Sequence, residues 1–328
     1  MKYRTLGKTG YEVSEISLGA WQIGGKWGDP FNEKTAEETL HKAIESGVTF
    51  VDTADVYGGG MSERVVGRVV RGYRGKVRFA TKCGRRLNPH QAEGYTPDNI
   101  RGFVEDSLRN TGCETLDLIQ LHCPPTPVYY NPAVFETLDR LKGEGKIRAY
   151  GVSVEKIEEG LKAIEFPGVA TVQVIFNMFR QRPAELLFPR AKQKNVGIIV
   201  RVPLASGLLT GKLARDSQFG ASDHRAFNRN GERFDKGETF SGVDFETGLA
   251  AVDELKALFG ATDRLPEYAL RWILMYPEVS CVIPGASRVD QAAANVRASD
   301  LPPLTAAQME GVRRVYEKRV MPLVHQLW

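Results

Sequence analysis

Eight short apolar runs, each followed by a stretch of helical periodicity, occupy most of the chain, and this repeat limits the fold more than any other feature. The runs lie at 16–18, 49–52, 77–82, 116–122, 149–153, 172–175, 197–202 and 279–284. Helical patterns fall between them near 35–46, 62–71, 97–110, 132–143, 155–164, 183–194 and 265–276, and one more follows near 288–298. Strands that alternate with amphipathic helices form βαβ units and a parallel sheet. Eight such units point to an α/β protein with a closed (β/α)8, or TIM, barrel; a doubly wound open sheet is the structural alternative. The G-x-G-x-x-G fingerprint of the open nucleotide-binding sheet is absent, because the first run leads into Leu18-Gly19-Ala20-Trp21-Gln22-Ile23-Gly24-Gly25.

Local signals support the elements. Residues 2–14, two extended runs around Gly7-Lys8-Thr9-Gly10, predict a β-hairpin. Thr96-Pro97-Asp98 and Asn131-Pro132 each place a capping residue before a proline at the first helical position. Ser62-Glu63 reads as a cap with an acidic first turn. Two segments exceed the plan: a polar, Gly-rich loop at 214–246 on the seventh connection, followed by an extra helix near 247–259, and a helical tail at 305–328. A single domain over residues 1–328 is expected, without internal repeats beyond the βα unit.

Composition narrows the functional class. A chain of 328 residues, 42% hydrophobic and 26% charged, can bury a large core and is not globally disordered. The net charge of +4 is small and interspersed, so nucleic acid is not an expected partner. Arg85-Arg86 and Arg313-Arg314 read as solvated surface pairs. Cys83, Cys113, Cys123 and Cys281 show no C-x-x-C spacing, no apolar signal segment opens the chain, and no membrane-length apolar run exists. A cytoplasmic protein away from the membrane is the expectation.

Barrel enzymes carry their chemistry at the C-terminal ends of strands. The second run ends at Asp52 and leads to Tyr57; the third ends at Lys82, the fourth at His122. An acid, a phenol, an amine and an imidazole thus converge on one rim, a set suited to carbonyl reduction. As hydride reaches the carbonyl carbon, charge builds on oxygen, and a proton donor must sit there. Tyr57 can donate once a nearby ammonium, Lys82, stabilises its phenolate. Asp52 would keep Lys82 charged and aimed, and His122 would orient the carbonyl oxygen. Taken singly, each residue also has an ordinary reading: a rim aromatic, a solvated lysine, a satisfied core histidine. No second His or Cys is spaced to complete a tetrahedral metal set. Cys83 and Cys123 directly follow Lys82 and His122, and read either as low-pKa redox thiols or as small apolar core residues.

At these residues the chain resembles the aldo-keto reductase superfamily. The run from Phe50-Val51-Asp52 to Val56-Tyr57-Gly58, with Ser62-Glu63 and Gly67 behind it, is similar to the family signature. So are Ala80-Thr81-Lys82, Asp117-Leu118-Ile119-Gln120-Leu121-His122 and Gly145-Lys146-Ile147-Arg148 with Tyr150-Gly151-Val152-Ser153. The runs from Pro203-Leu204-Ala205 to Gly211-Lys212 and from Ile283-Pro284-Gly285 to Ser287 complete the set, in family order. The likeness is to the bacterial branch related to potassium-channel β subunits.

The resemblance implies an NADP(H) site and a small-molecule carbonyl substrate, possibly a sugar. Trp21 and Asp52 would lie near the nicotinamide, with Ser153 and Gln173 on its carboxamide. Pro203, Leu204, Ser206, Gly207 and Lys212 would cradle the pyrophosphate, where small residues let backbone amides approach an anion. Gly285, Ser287, Arg288, Gln291 and Asn295 would hold the adenosine 2′-phosphate and adenine at a helix start. Arg201 stands where the family commonly stacks an aromatic on the nicotinamide, Val154 where an Asn is frequent, and Ala294 where an acid is common. The substrate pocket would draw on Trp21, Trp27, the loop 123–130 and the rim at 214–246. Two other readings stand beside the reductase: a non-catalytic NADP(H)-binding sensor or interaction subunit, and a barrel isomerase or lyase using Tyr57 and His122.

Overall fold

The computed structural model describes residues 1–24, 30–73 and 75–328. Trp27, read above as a pocket aromatic, lies outside the described residues. The hairpin forms from β1 (Tyr3–Thr5) and β2 (Glu12–Ser14). Eight parallel strands follow: β3 (Leu18–Gly19), β4 (Phe50–Asp52), β5 (Arg78–Cys83), β6 (Leu116–His122), β7 (Ile147–Ser153), β8 (Val169–Ile175), β9 (Gly197–Arg201) and β10 (Val279–Val282). They pair in chain order. The first and last ends meet through Ser17 N–H to Val282 O (2.9 Å) and Gly19 N–H to Pro284 O (3.1 Å). The sheet therefore closes into a barrel, and the open-sheet alternative falls.

Alternation along the strands sets the interior, since residues two apart share a face. Phe50, Ala80, Leu118, Ala149, Ile199 and Cys281 form an inner apolar layer, and Leu6 and Val13 of the hairpin pack on it. The hairpin reaches this layer because Gly7 adopts φ +48°; a Cβ there would stand 2.1 Å from Gly197 N. Two residues beyond the apolar layer, the same strands place Asp52, Lys82, Gln120 and Arg201, all buried. The barrel is thus apolar at its base and polar at its C-terminal rim.

The strands' outer faces bury against α1 (Glu33–Glu45), α2 (Met61–Arg71), α3 (Pro97–Thr111), α4 (Pro132–Gly143), α5 (Ile157–Ala163) and α6 (Leu187–Gln193), joined later in the chain by helices at Leu265–Leu274 and Val289–Val296. On α2, Val65, Val66, Val69 and Val70 are buried on one helical stripe. Each such side chain contributes about 1.5–3 kcal/mol when fully removed from water. Thr96 Oγ1 and Asn131 Oδ1 accept hydrogen bonds from Asn99 N–H and Ala133 N–H, both at 3.2 Å, as their motifs predict.

Ser62 does not cap α2. The helix starts at Met61 and is capped by left-handed Gly60, two residues before Ser62, and Ser62 Oγ bonds Thr53 Oγ1 (2.8 Å) and Ala20 O (3.2 Å). Glu63 is buried and accepts from Thr81 Oγ1 (2.5 Å) and Asn110 Nδ2 (2.7 Å), so it ties α2 to β5 and α3. Residues 214–246 form the long seventh connection and carry short elements of their own. They contain α7 (His224–Phe227) and 3-10 turns at Lys236–Glu238 and Phe240–Gly242. The extra helix α8 (Phe245–Leu258) begins at an Asp244 cap. Then come α9 (Leu265–Leu274), α10 (Val289–Val296), α11 (Ala306–Val315) and α12 (Met321–Val324). Among the described residues, no helix is long and apolar enough to cross a membrane.

Candidate active site

The turn after β4 delivers Tyr57. Gly58, Gly59 and Gly60 take φ of +57°, +62° and +86°, a succession that only glycines adopt without strain. This reverses the chain within one turn and leaves the Tyr57 side chain over the barrel mouth. Lys82 lies beneath it, fully buried. Its Nζ donates to Asp52 Oδ1, to Thr53 O (2.9 Å) and to Tyr57 Oη (3.2 Å), so all three ammonium donors are used. Asp52 Oδ2 accepts from Gln120 Nε2 (3.1 Å) and Gln173 Nε2 (2.8 Å). Trp21 stacks on Tyr57 at 6.0 Å, and His122 meets the Tyr57 ring edge-on at 5.9 Å.

Burial dominates the electrostatics here. The Tyr57 phenol is raised above its ordinary value by burial first; Lys82 pulls it down, and Asp52 pushes it up. The expectation that Lys82 makes Tyr57 more acidic thus describes one contribution that burial outweighs without ligand. Burial opposes the Lys82 ammonium, but Asp52 and Tyr57 more than offset this and hold it above its ordinary value. His122 is driven well below the usual imidazole range by burial, then by Arg85, Lys82 and Arg201, so it is neutral. Its Nδ1 is buried without a partner among the described residues.

A cavity of about 690 Å³ runs from this cluster along the rim. Trp21, Asp52, Tyr57, His122, Gln173 and Arg201 line one end. Pro203, Leu204, Ser206 and Gly207 line its middle, and Gly285, Ser287, Arg288 and Gln291 its far end. Three of the residues proposed from the resemblance are not brought to it. Ser153 is buried with Oγ 3.5 Å from Cys123 Sγ. Lys212 is exposed and is not among the lining residues. Asn295 Nδ2 donates to Gly285 O, itself a lining residue, at 3.2 Å.

The cavity also has residues that sequence reasoning missed. Arg85 is not solvated surface: Nη2 bonds Glu238 Oε1 (2.9 Å) and Glu155 Oε1 (3.2 Å). Arg201 Nη2 bonds Glu155 Oε2 (2.8 Å) and Val154 O (3.1 Å), while Nη1 stands 3.6 Å from Glu238. Two guanidiniums and two carboxylates therefore form a closed ring in the wall. Glu238, contributed by the loop, is held low by Arg85 and Arg201 despite its burial, whereas burial raises Glu155. Cys123 Sγ lies 3.6 Å from Arg201 Nη2, and burial pushes its thiol up to about 12. Burial likewise holds the Cys83 thiol well above its ordinary value, so both read as core residues. Cys123, Glu155 and Glu238 offer ligand atoms within 4.8 Å of one another, but the arginines occupy the carboxylates.

Residues 214–246 cover the cavity and are fastened at several points. Ser206 Oγ donates to Glu238 O (2.8 Å) and accepts from Phe240 N–H (3.1 Å). His224 and Phe234 pack on Trp21 at 5.4 and 6.2 Å. Trp328 backs the loop: its indole N–H donates to Asp235 Oδ1 (2.8 Å), and the Arg180 guanidinium lies 3.9 Å over its ring. Gly237 and Gly242 press on that ring so closely that a Cβ would stand 2.9 and 2.3 Å from it. After β9, Val202, Ala205 and Ser206 hold φ of +51°, +46° and +54°. Non-glycine residues there cost about 1–3 kcal/mol each, and such strain concentrates at functional sites.

A buried ammonium–phenol contact at the C-terminal rim of a closed barrel, opening on a long cavity, marks a barrel oxidoreductase. The chain belongs to the Aldo/keto reductase family, which residues 15–317 match. Aldo-keto reductase YhdN of Bacillus subtilis is 33% identical over 298 residues, covering 89% of this chain and 86% of the relative. The structure of glycerol dehydrogenase AKR11B4 from Gluconobacter oxydans superposes with a TM-score of 0.77 at 32% identity, over 97% of this chain and 96% of that one. A probable voltage-gated potassium channel subunit beta of Arabidopsis thaliana is 28% identical over 335 residues, covering 97% and 98%.

Proposed function

We propose that this protein reduces an aldehyde or ketone to an alcohol with NADPH, reversibly, and that Tyr57 donates the proton. The observation that carries the reading is Tyr57 Oη at 3.2 Å from Lys82 Nζ in the wall of the cavity. When bound, the nicotinamide supplies the hydride that the carbonyl carbon receives. Tyr57 then gives its proton to the carbonyl oxygen, and Lys82 stabilises the phenolate left behind. Asp52 fixes the ammonium. Neutral His122 orients the carbonyl oxygen without competing as an acid.

The residues present fit such a cofactor. Left-handed Ala205, Ser206 and Gly207 form a concave backbone turn in the middle of the cavity, a geometry suited to anions. Gly285 leaves a gap in which a Cβ would come no closer than 3.5 Å to Gln22 Oε1 and 4.0 Å to Gly19 O. At the far end, the exposed Arg288 pairs with Asp290 at 3.0 Å, and Ser287 Oγ donates to Gln291 Oε1 at 3.0 Å. A 2′-phosphate would draw Arg288 from Asp290 and favour NADPH over NADH. Arg201 sits at the nicotinamide end with its charge offset by Glu155 and Glu238.

Tyr57→Phe tests the reading: it should keep NADPH binding and lose on the order of 10²-fold or more in turnover. Near-full reductase activity would end the assignment. The substrate panel begins with small hydroxylated carbonyls, given the glycerol dehydrogenase relative. The channel-subunit relative motivates the second reading, an NADP(H)-binding interaction subunit. The Tyr57–Lys82–Asp52 contacts favour the enzyme.

A further inference from the structure

Gln120 has no assigned part in the reaction, yet it stands inside the polar layer. On β6 it is two residues before His122, pairs in register with Lys82 on β5, and is fully buried. Its Nε2 donates to Asp52 Oδ2 (3.1 Å), and its Oε1 lies 3.4 Å from Gln173 Nε2, which donates to the same carboxylate oxygen at 2.8 Å. Asp52 Oδ1 is taken by Lys82. One carboxylate is thus gripped from both sides, by an ammonium leading to Tyr57 and by two amides, one of which lines the cavity.

We infer that Gln120 is a positioning residue for the proton donor: it pins Asp52 and the Gln173 amide together, so that the seat of the nicotinamide and the acidity of Tyr57 are set by one hydrogen-bonded unit. This rests on the reading of Tyr57 as the acid. Amide donors draw negative charge from a carboxylate and favour its charged form. Removing one leaves more negative potential at Lys82 and Tyr57, which disfavours the phenolate. The other charged or titratable groups facing Tyr57 are Lys82 and Asp52 from the barrel, Glu238 from the loop, and neutral His122 with Arg85 and Arg201 beyond it. Of these, Gln120 is hydrogen-bonded to Asp52 and lies beside Lys82 on the neighbouring strand.

The experiment compares Gln120→Met with wild type and Tyr57→Phe. Gln120→Met should lower kcat for reduction on the order of tenfold, the scale of a lost bond to a charged group. It should also move the alkaline limb of the kcat profile to higher pH. The dissociation constant for NADPH, read by fluorescence titration without turnover, should change less than kcat. Gln120→Glu keeps the shape: its acid form donates to Asp52, and its ionisation adds a second charge. It should therefore lose activity more steeply with rising pH, and it serves as well if Gln120→Met does not fold. Wild-type kcat and limb position in the folded variant would overturn the inference. If Tyr57→Phe is inactive in the same series, only the role of Gln120 fails; if it is active, the reading beneath fails.

Discussion

The two sides of the cavity are built by different means. On the barrel side, Asp52, Lys82 and Gln120 sit at neighbouring strand ends, and strand register fixes their spacing. On the loop side, His224, Phe234 and Glu238 come from 214–246, held by the Arg85–Glu155–Arg201–Glu238 ring, the Ser206 bonds and Trp328. Sites on regular elements are positioned more sharply than sites on loops, which depend on long-range side-chain contacts to hold them. On the proposed function, the barrel side carries the chemistry and the loop side covers it.

The largest test of that division is Lys82→Met. Turnover should fall on the order of 10²-fold or more, and the limb set by Tyr57 should move to higher pH, because the ammonium that favours the phenolate is gone. Rate profiles measured against NADPH binding check both; an unmoved limb would separate Lys82 from the phenol.

Next in size is Trp328→Ala, which empties a buried indole site and should cost about 3–5 kcal/mol in denaturant unfolding. Proteolysis should then cut within 214–246, while kcat falls less than in Lys82→Met. Trp328→Phe should recover the ring packing but not the bond to Asp235. A loop as resistant as wild type in folded Trp328→Ala would erase the distinction between the two sides.

Arg288→Ala should raise the NADPH KM on the order of tenfold and leave the NADH KM nearly unchanged, as expected for one charged hydrogen bond. Unaltered preference would place the 2′-phosphate elsewhere.

The smallest effect is a pH dependence of the loop. Burial lowers the His224 imidazole to about 4, below its ordinary 6.5. The unfolded chain then binds the proton more tightly. Stability from this site is full above 6.5 and declines as pH falls toward 4. Hydrogen exchange at 224–242 should accelerate over that window before the strands respond. His224→Gln should flatten the response, and a strand-first response would contradict it.

The barrel side was legible in the sequence because strand-end position and period-two alternation place its residues together. Asp52, Lys82 and His122 follow from ends of apolar runs, and Tyr57 from a Gly-rich turn directly after one. Gln120 carried the same signal, a polar residue two before His122 within an apolar strand, but its role needs the partners across the barrel. The loop side was not legible. Arg85 looks like any surface arginine until Glu155 and Glu238, 70 and 153 residues away, are seen to meet it. Ser62 reads as a cap by type, yet Thr53 and Ala20 offer it better partners inside the protein. The exposure of Lys212 and the burial of Ser153 likewise depend on tertiary packing that no local pattern encodes.

Cys123 gives the loop-side ring another meaning. A sulfur nucleophile beside a cavity proposed to take carbonyl compounds would be a hazard, because a thiolate adds to an aldehyde and would hold it as a hemithioacetal. Here burial keeps the sulfur protonated up to about 12. The neighbouring Arg201 favours the thiolate, but burial and the Glu155 carboxylate outweigh it. Alkylating reagents should therefore leave Cys123 intact for as long as it stays buried beside Glu155.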